Sequence, residues 1–302
     1  MARRFAIRDR IERLDPVADH EEISRLVATY EFPWDVTQAL SFALFRTFAV
    51  PSIGRLLHET GEFTARTQKR HDDTVLILDA ILEHGLGSSE GRAAIRRMNQ
   101  MHRAYDIAND DLRYVLATFV VTPVRWIDEF GWRRLTPTEI VAQTTYYRRL
   151  GRHMGIRDLP EDYAGFARLL DDYEREHFAF DAGGRAVADA TIELFGTIPP
   201  NHLLPRPLVT AMLRSLMGPE LCRAFGYPEP PVPVQRACRS LIRLRGRLVR
   251  WLPPRRRPFR ARDLSYVRSY PHGYRVEDLG TFPAGCPVPH GPAAAPAPEV
   301  PR

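Results

Sequence analysis

Three groups of residues have types and spacings that could do chemistry. Arg66, Arg70 and Thr74 recur at i, i+4 and i+8, so on a helix two guanidiniums and a hydroxyl share one face, with Val75, Leu76, Leu78 and Ile81 as apolar neighbours further along. Such a face either carries polar groups into an interior or stays solvated and paired with Asp72 and Asp73. In GRAAIRRMNQMHRAYD, Ile95, Met98, His102 and Tyr105 follow the 3, 4, 3 steps of one helical face, which puts His102 on an apolar stripe. A neutral imidazole delivered from a rigid helix into an apolar cavity meets the requirement for an axial haem ligand. The same position also suits a core histidine bonded to a carbonyl, and spacing leaves both open. Glu174 and His177 have the Glu-x-x-His spacing of a di-iron bundle, but no second copy of that spacing occurs, so they read as a surface pair near a helix end.

The elements that must carry these residues are helical throughout. Helical periodicity predicts segments over about 20–32, 33–50, 50–61, 63–84, 88–105, 109–130, 136–154, 159–177, 185–195, 207–216 and 234–252, and no alternating strand pattern occurs. Thr136-Pro137-Thr138-Glu139 combines a cap, a proline at the first helical position and an acid three residues after the cap. Pro123 falls inside the 109–130 pattern and should kink it. The expected architecture is all-α: one multi-helix globular bundle at 19–252, preceded by a charged lead at 1–18 and followed by an irregular Pro/Arg-rich tail at 253–302. The last stretch, PHGPAAAPAPEVPR, has the composition of a disordered end.

Composition narrows the function classes. The 302 residues, 44% of them hydrophobic, can bury one sizeable core. Arginines concentrate between Arg236 and Arg262, eleven of them without one acid, so the +6 net charge is local and the rest of the chain is net acidic. Cys222, Cys238 and Cys286 form neither a CxxC pair nor a CxxCH haem-attachment site, so disulfide staples, structural zinc and covalent c-type haem lack support. Phosphate-binding glycine loops and G-x-S-x-G elbows are absent, and the basic stretch matches no nucleic-acid reading module, so no nucleic-acid partner is expected. MARRFAIRDRIERLDP lacks the apolar run of an export signal, and Tyr114–Val124 is too short to span a bilayer, so a soluble or peripheral protein in the cytoplasm is expected.

The run MHRAYDIANDDLRYVLATFVVTPVRWIDEFGWRRLTPTE, then YYRRLGRHMGI and LP, resembles the catalytic signature of the MpaB and rubber oxygenase family. That family places an Arg-x-x-x-Thr pair on one helix and its haem-ligating histidine a little over thirty residues later. Arg70 and Thr74 supply the pair here, and His102 falls at that distance. The similarity extends over roughly residues 46–195, and the PHGYRVEDLGTFP segment is similar to bacterial members. Secreted rubber oxygenases carry an export signal and a lysine beside the pair. Here the signal is missing and Asp73 occupies that position, which argues against polyisoprene as substrate.

The resemblance implies a b-type haem oxygenase that attacks a carbon–carbon double bond of an apolar small molecule with dioxygen. His102 would be the iron ligand, Arg66 a further cofactor-binding residue, and Arg70 and Thr74 the catalytic pair on the oxygen side. An alternative is a helical binding protein without turnover, held peripherally on the inner face of a membrane by residues 236–262. There Leu241, Leu244, Leu248 and Leu252 line one face among arginines. The simpler expectation for that helix turns its leucines to the core and its arginines to water.

Overall fold

The computed structural model describes residues 4–280, which form fourteen α-helices without a β-strand among the described residues. The longest is α8 (Asn109–Phe130), and the reason lies in its sequence. Tyr114, Leu116, Ala117, Val120, Val121, Val124 and Ile127 leave almost no polar face, so the helix is buried from nearly all sides. Pro123 lies buried inside α8 and does not end it. Around it pack α3 (Pro33–Thr47), α9 (Pro137–His153) and α10 (Tyr163–His177).

The N-terminal lead forms α1 (Ala6–Ile11), and α2 (His20–Leu26) follows. Ile11 is fully buried in the same apolar cluster as Ile23, Phe32, Trp132 and Ile127, so the charged lead contributes one core residue. At the start of α9 the Thr136 hydroxyl accepts from the Glu139 amide while the Glu139 carboxylate accepts from the Thr136 amide, the reciprocal cap that TPTE predicts. Glu139 also pairs with Arg133, which reaches Glu31 from the same guanidinium.

A second layer consists of α4 (Pro51–Glu59), α5 (Glu62–Ala65) and α11 (Ala182–Thr197), with α12 (Arg206–Leu216), α13 (Pro219–Phe225) and α14 (Val232–Val249) closing one side. The segment predicted as one helix over 63–84 is broken. Arg66 leaves helical geometry at φ −138° and ψ 44°, separating α5 from α6 (Thr67–His84). α7 (Ser89–His102) likewise ends three residues before the predicted limit, so Tyr105 lies beyond the helix that carries His102.

α6 and α7 pack as a helical hairpin joined by residues 85–88. Gly85 turns the chain at φ +82°, a left-handed conformation that a side chain would strain. A Cβ on Gly91 would collide with the Gly85 carbonyl oxygen, so the entry to α7 is also restricted to glycine. Ser88 caps α7, its hydroxyl accepting from the Gly91 amide at 2.8 Å.

Residues 253–280 are irregular, as expected, yet firmly attached. Leu279 is fully buried in the main core cluster with Leu76, Ile95 and Met98. The predicted disordered end, 289–302, and Cys286 lie outside the described residues.

Candidate active site on the α6–α7 hairpin

Hairpin geometry explains why residues 32 positions apart can meet. From Arg70 to the end of α6 is about 21 Å of helix, and from the start of α7 to His102 is about 20 Å, at ~1.5 Å per residue. Two antiparallel arms of that length return His102 to the level of Arg70.

The electrostatics agree with this placement. The His102 pKa falls to about 4, first because burial removes water from the ring and second because the Arg70 guanidinium repels a proton there. His102 is therefore a neutral imidazole at neutral pH, and its ring makes no hydrogen bond to any described residue. A core histidine satisfied by a carbonyl, the alternative left open by spacing, is not what the structure contains. Its surface is only half-buried despite strong desolvation.

Arg70 has the same character. Desolvation lowers its pKa, with Asp73 and Glu62 acting in the opposite direction, and it forms no ion pair with a described carboxylate. The one hydrogen bond of its guanidinium to a described residue goes to the Thr74 hydroxyl, which in turn donates to the Arg70 carbonyl at 2.9 Å. Phe63 lies under the guanidinium, 5.2 Å from the ring centroid.

Arg66 does not join them. Because the helix breaks at this residue, its side chain leaves the Arg70–Thr74 face, stays more than half exposed and closes an ion pair with Glu62. The sequence expectation of three groups on one face therefore reduces to two.

Asp72 and Asp73, expected as solvent-side partners for that face, are buried and serve the C-terminal segment instead. Asp72 accepts from the amides of Arg268 and Ser269, from the Ser269 hydroxyl and from the Gln68 amide. Asp73 accepts from the Tyr270 hydroxyl and from Lys69, whose ammonium also donates to the Gly280 carbonyl at 3.1 Å. On α7, Arg97 donates to the Leu279 carbonyl at 2.7 Å. Lys69, the chain's single lysine, thus helps to bind residues 266–280 across the hairpin. Sequence reading missed this role, and the only available signal was the isolated lysine four residues before an acid.

Glu174 is not a surface partner of His177. It is buried and accepts from Arg46 at 2.6 Å and from the Tyr114 hydroxyl at 3.1 Å, while His177 is exposed at the end of α10. No cluster of three or more metal-type side chains occurs among the described residues, which leaves a di-iron site without ligands. An open crevice of about 680 Å³ lies between α11, α12 and residues 228–234, and none of Arg70, Thr74 or His102 lines it.

A single neutral imidazole without a hydrogen-bond partner, beside a buried cation, can offer one donor nitrogen to a bound group but does not by itself make a multi-ligand metal site.

Residues 36–251 match the family described as ER-bound oxygenase mpaB/B' and rubber oxygenase, catalytic domain. The chain belongs to this family. It is 30% identical over 266 residues to ER-bound oxygenase mpaB' of Penicillium brevicompactum, covering 81% of this chain and 62% of that protein. It is 29% identical to mpaB of the same organism, covering 76% and 63% respectively. Against mpaB of Penicillium roqueforti the identity is 32%, covering 72% of this chain and 79% of the relative. The chain thus spans under two thirds of the length of the first two.

These relatives correct the expectation of a cytoplasmic protein, because all three are named ER-bound. The lack of an apolar run in residues 1–16 was a poor guide, since a protein can be held at a membrane by other surfaces. No single helix among the described residues is long and apolar enough to cross a membrane, whereas α3 and α4, bent by 95°, reach that length and composition as a pair.

Proposed function

We propose that this chain is a haem b-dependent oxygenase that acts on an apolar small molecule with dioxygen at a carbon–carbon double bond. The observation that carries the reading is His102, neutral and without a hydrogen-bond partner among the described residues, under the charge of Arg70, whose guanidinium bonds Thr74. Haem iron, when bound, supplies the binding and activation of dioxygen.

The chain's own residues have defined parts in this scheme. His102 offers a lone pair that protonation does not block at neutral pH. Arg70 keeps a positive charge in a desolvated place, where a donor stabilises developing negative charge more than it would in water. Thr74 fixes the guanidinium by accepting from it. The oxygenase names of the relatives support the reaction class. Membrane association belongs to the same reading, since those relatives are ER-bound.

The deciding experiment is expression with a haem precursor followed by absorbance spectroscopy. A Soret band in folded wild-type protein that is lost in His102→Ala is expected. A folded protein without that band, or an unaltered band in the variant, overturns the proposal. A second reading, a helical binding protein without turnover, gains from the exposed leucine face of α14. Haem-loaded protein that consumes no dioxygen with any apolar alkene would favour it.

A further inference from the structure

α14 faces the body the opposite way from the simple amphipathic expectation. Three of its arginines reach the body: Arg239 and Arg243 both donate to Glu129 of α8, and Arg245 donates to both oxygens of buried Asp35 on α3. Cys238 and Gly246 are buried, Ile242 and Val249 pack partly against the body, and a Cβ on Gly246 would collide with the Phe130 carbonyl oxygen. The inner face is therefore filled without the leucines.

Leu241, Leu244 and Leu248 form the outer face, continued by Trp251 and Leu252, and all five are between 49% and 85% exposed. Isolated exposed leucines need no explanation, but a continuous strip along about two turns of a helix and the residues just after it does. Arg236, Arg247, Arg250, Arg255, Arg256 and Arg257 accompany the strip. All are exposed and none makes an ion pair with a described residue. Every arginine of α14 that faces the body is paired, and those beside the leucines are not.

We propose that this strip is a docking face for an anionic lipid surface. Leucines and a terminal tryptophan would enter the interface while the long arginine stems lift their charges to the headgroups. Charge decides between lipid and a second copy of this chain. A two-fold contact would set a one-signed arginine array against itself, which a symmetric interface avoids. Anionic headgroups instead complement it. The inference is independent of haem binding.

The test uses the purified chain and vesicles of phosphatidylcholine with or without phosphatidylserine, read by flotation and by Trp251 emission. Binding to the anionic vesicles at low salt, with a blue shift that Trp251→Phe removes, is expected, as is weakening at high salt. Leu244→Ser with Leu248→Ser should lower partitioning roughly tenfold or more. Neutralising Arg247 or Arg250 to Gln should lower it about fivefold each. Unchanged thermal melts establish that these exposed substitutions leave the fold intact. No binding to anionic vesicles at low salt overturns the proposal, as does equal binding to neutral ones. A concentration-dependent dimer lost in the leucine variants, without vesicle binding, would assign the face to a second copy.

Discussion

The Arg70 guanidinium bears on His102 across the α6–α7 hairpin, and its charge adds to burial in holding the imidazole pKa near 4. The pair is unusual in that neither member is neutralised by a described carboxylate. A cation beside a histidine that must stay unprotonated secures the form of the ring able to donate a lone pair.

Removing the cation should release part of that depression. Arg70→Gln is expected to raise the His102 pKa above 4 while burial, the larger cause, keeps it below the ordinary value of ~6.5. A proton NMR titration of the histidine ring signals in cofactor-free protein measures this. An unaltered titration would show that the two groups do not interact.

The same shift gives a stability prediction with a definite sign. Between pH ~6.5 and about 4 the unfolded chain binds a proton at His102 that the folded chain does not. Stability should therefore fall as pH drops through that window. His20, also held low mainly by burial, acts in the same direction. Urea denaturation of His102→Gln beside wild type isolates the His102 share: the variant should show a shallower acid dependence.

Asp72 should control the attachment of residues 266–270. Burial alone would raise its pKa, but hydrogen bonds from His71 and from the Ser269 hydroxyl and amide outweigh it and hold the carboxyl below its usual value. Its contribution is thus present above the unfolded value and lost as pH falls through the folded one. Asp72→Ala is expected to cost about 1–3 kcal/mol and to speed tryptic cleavage at Arg268 and Arg275. Equal cleavage rates for the variant and wild type would refute the anchoring role.

Glu174→Ala should be the most destabilising of these changes. It leaves Arg46 desolvated without its counter-ion and deprives the Tyr114 hydroxyl of its acceptor, a loss of about 3–5 kcal/mol. Chemical denaturation measures it, and a loss below ~1 kcal/mol would mean that the pair is well solvated.

Much of this molecule is legible in local sequence because the signals act over one or two turns. The TPTE cap, the helical character throughout and the apolar burial of α8 follow from cap chemistry and periodicity. The 32-residue separation of Arg70 and His102 also follows, since two helices of similar length joined by a short turn must return to the same level. By itself, then, the sequence determined the helical class and the order of most of the helices, while His102 as candidate ligand came from the family resemblance.

What it could not determine depends, apart from the helix break at Arg66, on partners far along the chain. Arg66 leaves the site because the backbone breaks there and Glu62 takes its charge. Asp72 and Asp73 turn from surface acids into buried anchors only because residues 266–280 return across α6. α14 carries apolar and basic residues on several sides, and periodicity cannot say which side the body will accept. Glu129 and Asp35, more than a hundred residues away, draw the arginines inward, and the leucines are left facing out. Tertiary structure decided these points, because the partners that hold a buried polar or charged group are supplied by segments distant in the chain.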